Sequence, residues 1–252
     1  MNLGFLGTGH ITSSVIEGIF ISKLKIKKIF ISPRNKIIAK KLSKRFKKIT
    51  ISKNNQQLID SSKLIFLAIT PQVGHKILRK LKFKKDKKII SFISTINLKD
   101  LRNYTKNKNI SRVIPLPFIG MKKGPIIICS SDKSLKFFFK HLVKVFEVKN
   151  EKLSKAFWST SSFMAPYYNL LLSTSNWLVS KGIKRKEAEN YTRELFLALS
   201  EDSIFKNKLP LRKLVSDSQT PGGTNAFVLE RLKRTKFYQV QQKALNSIFK
   251  KF

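Results

Sequence analysis

The stretch that decides the fold stands at the start of the chain: Leu3-Gly4-Phe5-Leu6-Gly7-Thr8-Gly9-His10-Ile11. Apolar Leu3, Phe5 and Leu6 make a short run that stops at a glycine pair. An amphipathic segment follows in which Val15, Ile16, Ile19 and Phe20 share one face. A strand that passes through Gly-x-Gly into a helix is the setting of a dinucleotide-binding turn. The glycines let the backbone turn tightly and approach a pyrophosphate, and the helix start offers free N–H groups at the positive end of its dipole. The third glycine of that fingerprint is Thr12 here, so the stretch taken alone leaves an ordinary turn open as well.

The second apolar run, Lys28 to Ser32, supplies an independent test. A site for NAD usually ends this strand with Asp or Glu on the ribose 2′-hydroxyl. Here the sequence is Ile31-Ser32-Pro33-Arg34-Asn35, with a hydroxyl, a guanidinium and an amide beginning 23 residues after Gly9 and no carboxylate. That set suits a 2′-phosphate, so Ser32, Arg34 and Asn35 favour NADP.

Outward from this start, β-branched runs alternate with helical-period segments. Further strands are expected over Ile49–Ser52, Leu64–Thr70, Ile89–Ser94, Val113–Leu116 and Ile126–Cys129, and helices over Ile11–Ser22, Ile37–Phe46, Val73–Leu81 and Leu135–Val145. The alternation argues for βαβ units and a doubly wound parallel sheet. From about Glu151 the strand signals stop and long helical stretches take over, among them Phe163–Val179, Lys186–Phe205 and a last helix opening near Thr224. The expected organisation is a Rossmann-type α/β domain over 1–150 and an all-α domain over 151–252.

Composition narrows the function classes. A chain of 252 residues with 42% hydrophobic content buries a sizeable core without disulfides or metals. The single Cys129 forbids an intramolecular disulfide and the three histidines show no metal-ligand spacing, so a reducing compartment and no metal are expected. No signal peptide is legible, and no apolar run reaches the 18 or so residues a span requires, which points to a cytoplasmic protein with no membrane partner. The net charge of +38 would attract polyanions, but the lysines are spread along the whole chain among abundant Ile, Asn and Phe, as an AT-rich coding sequence would produce. No specific nucleic-acid partner follows. The densest run, Lys82-Phe83-Lys84-Lys85-Asp86-Lys87-Lys88, reads as a solvated loop.

With these residues on the page, the chain resembles the pyrroline-5-carboxylate reductases. Gly4 to Ile11 is similar to that family's opening GFIGxGNM, and Ser32-Pro33-Arg34-Asn35 falls on its NADP-selecting loop. Phe66-Leu67-Ala68-Ile69-Thr70-Pro71-Gln72 resembles LAVKPQ, and Ile89–Ser94 resembles the strand that follows it. Arg112-Val113-Ile114-Pro115 matches RxMP, Gly182 to Ala188 matches GxxRxxA, and Thr220-Pro221-Gly222-Gly223-Thr224 matches SPGGT. The resemblance implies hydride transfer from NADPH to the C=N of 1-pyrroline-5-carboxylate, giving L-proline. It adds Thr8, His10, Ile11, Ala68, Thr70 and Pro71 to the cofactor contacts. Gly222, Gly223, Thr224 and Asn225 become the substrate contacts, with Thr224 as the catalytic position. The N–H groups of Gly223 and Thr224 and the Thr224 hydroxyl are then expected to hold the substrate carboxylate. It also implies a homodimer through the helical domain, to which Leu170 to Leu172, Trp177 and Leu178 are suited, with each active site completed by the partner chain.

The departures lie mostly on the substrate side. Pro115-Leu116-Pro117 replaces the Asn and Thr that follow the RxMP proline, Thr70 replaces the LAVKPQ lysine, Asn225 replaces a threonine, and Ser161 to Tyr167 replaces the glycine-rich SGSGPAY. A related imine or keto compound as substrate, and a non-catalytic NADP-binding regulatory role, therefore stay open. Trp158, Trp177, Tyr167 and Tyr168 are read as core or interface, and Cys129 as a buried thiol.

Overall fold

The computed structural model of the chain describes residues 1–130 and 132–251; Ser131 and Phe252, the last residue of the expected helical domain, lie outside it. The chain divides into two compact units, Met1–Trp158 and Ser159–Phe252. The division falls eight residues beyond the expected residue 150, inside a helix rather than ahead of it.

The first unit is an eight-stranded sheet. In chain order its elements are β1 (Asn2–Leu6), α1 (His10–Ile21), β2 (Lys28–Ile31), α2 (Lys36–Arg45), β3 (Ile49–Ile51), α3 (Asn55–Ser61) and β4 (Leu64–Leu67). They continue with α4 (Pro71–Ile77), β5 (Lys88–Ser91), α5 (Leu98–Thr105), β6 (Ile110–Ile114), β7 (Pro125–Cys129), α6 (Lys133–Lys140) and β8 (Lys144–Val148). The strand order is β3-β2-β1-β4-β5-β6-β7-β8. Central strands are buried on both faces, as a parallel sheet with helices on either side requires, which is why β1 and β4 read as near-continuous apolar runs. Val15, Ile16, Ile19, Ala39, Leu42, Leu135 and Phe139 cover one face, and Leu58, Ile59, Leu78, Leu98 and Leu101 cover the other. Through the first face runs an aromatic stack in which Phe5 and Phe66 lie 4.3 Å apart.

Two expectations need correction, and the expected doubly wound parallel sheet carries one antiparallel pair, β6 and β7. Only the short segment Pro115–Gly124, with a 3-10 turn over Pro117–Met121, links them, too little for a crossover helix, so the chain must double back. The helix expected to run to Val145 ends at Lys140, and Lys144–Val148 is the edge strand β8 instead. Finally, the lysine-rich loop before β5 is not wholly solvated. Lys87 is only 8% exposed, and its ammonium donates to the carbonyls of Asp60 (3.0 Å) and Ser62 (2.7 Å), at the end of α3. A cation there complements the negative end of the helix dipole.

Helix α7 (Glu151–Ser161) carries the boundary between the units. The second unit contains α8 (Met164–Ser180), α9 (Arg185–Phe205), α10 (Leu211–Asp217), α11 (Thr224–Arg234) and α12 (Phe237–Lys250), with no strand among its described residues. Small Ser175, Ala188 and Thr192 are buried where α8 and α9 pack as a hairpin about Gly182. Apart from Ser159, no other described residue of the unit is buried, while Leu172, Trp177, Leu199, Phe205 and Phe227 are exposed. No helix among the described residues is long and apolar enough to cross a membrane.

Candidate active site

The order β2-β1-β4-β5 reverses direction between β1 and β4, and in open α/β sheets the crevice beyond the carboxyl ends of such strands is where ligands bind. Here the crevice is walled by the turns after β1 and β4. They are tied together by the Ala68 N–H, which donates to the Leu6 carbonyl at 2.8 Å. Gly7 has φ +109, and a Cβ built on it would run into the Ala68 carbonyl, so conformation and space both demand glycine. Gly9 is different. A Cβ built there meets nothing within 4 Å, so nothing in the chain itself requires a glycine, and the space over it stays open to a ligand's backbone contact.

Gly9 is the N-cap of α1, which has neither a side-chain cap nor an acidic residue in its first turn. Its free N–H groups and dipole end are uncompensated, the condition that suits an anion. His10 is exposed and Ile11 half-buried at this start. Thr12, at the missing third glycine, is buried, and its hydroxyl donates to the Gly7 carbonyl at 2.7 Å. The turn is thus locked by a side chain, where a glycine would serve only close packing. This residue was missed in sequence because a fingerprint counts glycines, not hydrogen bonds.

Ser32 and Thr8 form a clasp beneath the turn. The Gly7 N–H donates to Ser32 Oγ at 3.0 Å, the Thr8 hydroxyl donates to the Ser32 carbonyl at 2.8 Å, and Ser32 Oγ lies 3.1 Å from Asn55 Oδ1. Both residues are buried, and the proton of the Ser32 hydroxyl is committed to the protein. Asn35 caps α2, its Oδ1 accepting from the Ile38 N–H at 3.2 Å. Arg34 is exposed and makes no hydrogen bond or ion pair with the described residues, which leaves its guanidinium free for an anion. Across the crevice, Thr70 is exposed at the N-cap of α4 with no side-chain capping bond, and Pro71 takes the first helical position, where its missing N–H costs nothing.

The turn expected to hold a carboxylate lies in the second unit. Thr220-Pro221-Gly222-Gly223 is a tight turn with Gly222 at φ +73 and the Gly223 N–H donating to the Thr220 carbonyl at 2.8 Å. Pro then Gly at the central positions is the type II pattern. In this structure the Gly223 N–H, expected to meet a carboxylate, is engaged within the turn. Thr224 remains exposed at the uncapped start of α11, with no acidic residue in the first turn. Asn225 turns its amide donor to the Ser218 carbonyl at 3.0 Å, holding the approach to the turn.

Arg112, the first residue of the RxMP match and a lone arginine inside the apolar run Ile110–Ile114, anchors a further cluster whose partners the sequence did not reveal. Arg112 is 2% exposed, donates to the carbonyls of Ser94 (2.6 Å) and Ile96, and stands 3.1 Å from Glu151. Glu151 in turn accepts the Leu98 N–H at 3.0 and 3.1 Å. Burial lowers the Arg112 pKa from its usual value, opposed by the charge of Glu151. Cys129, opposite Arg112 on β7, is also buried, which pushes its thiol pKa up.

Residues 2–97, which include the whole crevice, match the family model described as NADP oxidoreductase, coenzyme F420-dependent. The chain is 22% identical over 248 residues to the pyrroline-5-carboxylate reductase of Pisum sativum, covering 93% of this chain and 89% of that one. Its fold matches the 1-pyrroline-5-carboxylate reductase of Streptococcus pyogenes with a TM-score of 0.86, at 22% identity and over 100% and 97% of the two chains. The Plasmodium falciparum pyrroline carboxylate reductase with NADP bound matches at 0.85, 21% identity, and 100% and 96% coverage. A reductive aminase from Aspergillus terreus matches less closely, at 0.62, 13% identity, and 87% and 80% coverage. The chain is thus similar in sequence to a pyrroline-5-carboxylate reductase along nearly its whole length, and it shares the fold of two solved ones.

Proposed function

We propose that the protein is an NADPH-dependent reductase that converts 1-pyrroline-5-carboxylate to L-proline. The observation that carries the reading is the pairing of an open, uncapped glycine turn at the β1–β4 crevice with an unpartnered Arg34 after β2. The residues present fit the cofactor. The space over Gly9 admits the pyrophosphate, the free N–H groups of α1 receive its charge, and Arg34 takes the 2′-phosphate. When bound, the dihydronicotinamide supplies the hydride that reduces the imine carbon. The chain's own share is to bind and orient, which suits a reaction that needs no protein nucleophile.

Thr70 and Pro71 line the opposite wall of the crevice. Thr224, exposed at the start of α11, offers its N–H and hydroxyl to the substrate carboxylate and is the catalytic position in this reading. The protein acts as a homodimer in the cytoplasm. The support for the dimer is that the helical unit buries no large apolar side chain of its own and leaves Leu172, Trp177 and Phe227 in solvent.

The test is to mix the purified protein with NADPH and 1-pyrroline-5-carboxylate and follow both NADPH consumption and proline formation. Proline made in step with NADPH loss supports the reading. NADPH binding without turnover on this substrate, but with turnover on another cyclic imine, would move the substrate; binding without any turnover would make the protein a regulatory module.

A further inference from the structure

We propose that Arg112 and Glu151 form a positioning pair that sets the Phe92–Asn97 loop as the wall against which the nicotinamide end of the cofactor is placed. The inference rests on the dinucleotide reading above.

A buried arginine in a strand is costly, and an apolar residue of similar volume often serves stability as well or better. What Arg112 delivers must therefore be found in where its bonds go. Its two carbonyl acceptors, Ser94 and Ile96, both belong to the loop after β5, and its charge partner Glu151 accepts the N–H of Leu98, where that loop enters α5. Three of the loop's anchor points thus depend on one ion pair, drawn from β6 and the first residue of α7. At its other end the loop is fastened by the Phe92 N–H to the Leu67 carbonyl (3.0 Å), which sets it beside the Ala68–Thr70 turn. Between these fixings, Thr95 is exposed.

The loop's place in the sheet gives the pair its purpose. Arg34 follows β2 and the loop follows β5, on the same edge and three strand spacings apart, on the order of 14 Å. A dinucleotide with its 2′-phosphate at Arg34 and its pyrophosphate over Gly9 extends across β1 and β4 toward this loop. Arg112 is buried and the bonds of the pair go to the loop, so they act through it.

The experiment compares two probes on the full-length protein. The probe 2′,5′-ADP carries only the adenosine half of the cofactor, whereas NADPH carries both halves. Glu151→Gln keeps the shape and one acceptor but removes the charge. It is expected to leave 2′,5′-ADP affinity within about twofold, to weaken NADPH several-fold, and to lower kcat roughly 10- to 100-fold, the scale of a misplaced reacting group. Glu151→Asp should recover part of the kcat, and Arg112→Lys should repeat the pattern with its melting temperature measured alongside. Loss of both probes in proportion would reduce the pair to a fold-holding role and overturn the proposal. So would unchanged kcat and NADPH affinity in a folded Glu151→Gln protein. If the unaltered chain binds neither probe, the dinucleotide reading fails first and is seen to fail by itself.

Discussion

Arg34 is the residue on which the choice of cofactor turns. It has no partner among the described residues, so its removal disturbs no protein contact. Arg34→Ala should weaken NADPH by roughly 10- to 100-fold, the worth of a charge-assisted phosphate contact, and leave NADH nearly unchanged. Equal losses in a titration of both nucleotides would remove the basis for NADP selection. The two glycines of the turn make a second, paired prediction. Gly7→Ala forces a side chain into positive φ against the Ala68 carbonyl and should destabilise by about 1–3 kcal/mol or more, read as a lower melting temperature. Gly9→Val points into open space and should melt near the parent temperature while losing NADPH binding. A Gly9 variant that still binds would place the pyrophosphate elsewhere. These residues were visible in sequence by type and spacing. The inward commitments of Ser32, Thr8 and Thr12 were not, because a hydroxyl at a binding loop looks the same in sequence whether it faces ligand or protein.

At the scale of elements, strands with buried faces were legible because parallel sheets demand unbroken apolar runs, as in Leu64–Leu67 and Ile126–Cys129. The edge strand β8 was not. Its Lys144-Val145-Phe146-Glu147-Val148 alternates with only one face packed, and it follows α6 so closely that the helical spacing of Phe138 and Leu142 runs on to Val145. Short α3, α5 and α10 escaped for a related reason, since two turns give too few repeats for a period to show. Cap chemistry is the better signal there: Asn54 and Asn97 each accept an N–H at the start of their helix. The cap of α6 gives a pH prediction. Burial raises the Asp132 pKa, but the Lys88 ammonium, the Leu135 N–H and the Ser134 hydroxyl outweigh it and bring it from 3.8 to about 2. A folded-state pKa below the unfolded one adds stability that is complete above 3.8 and fades as pH falls toward about 2. Asp132→Asn keeps the cap and loses the pairing with Lys88, so it should cost less than about 1 kcal/mol at neutral pH, given that the carboxylate is largely exposed. Urea midpoints of the two proteins should converge across that acid window; a gap that stays constant would mean the charge plays no part.

At the scale of the whole molecule, a sheet unit with two buried faces is followed in the chain by a helical unit whose buried residues, among those described, are all small. The second leaves Leu172, Trp177 and Phe227 exposed, the surface on which the proposed dimer rests. If the proposed homodimer forms through this surface, Trp177→Glu, at a side chain 60% exposed, should halve the sedimenting mass with little change in the chain's own packing. An unchanged dimer would locate the interface on other helices. The charge of +38 belongs to this scale too. Retention on duplex DNA should be lost below physiological salt if the lysines act as a diffuse coat.

One lysine stands apart from that coat. The Lys87 ammonium sits where the central strand β5 begins, gripped by the carbonyls that end α3, and water scarcely reaches it. An amine-acetylating reagent will strip charge from the surface long before it meets this nitrogen, which becomes available only when β5 and α3 come apart. Its rate of labelling is therefore a clock for opening of the sheet, kept by a residue type that elsewhere in this chain mostly faces solvent.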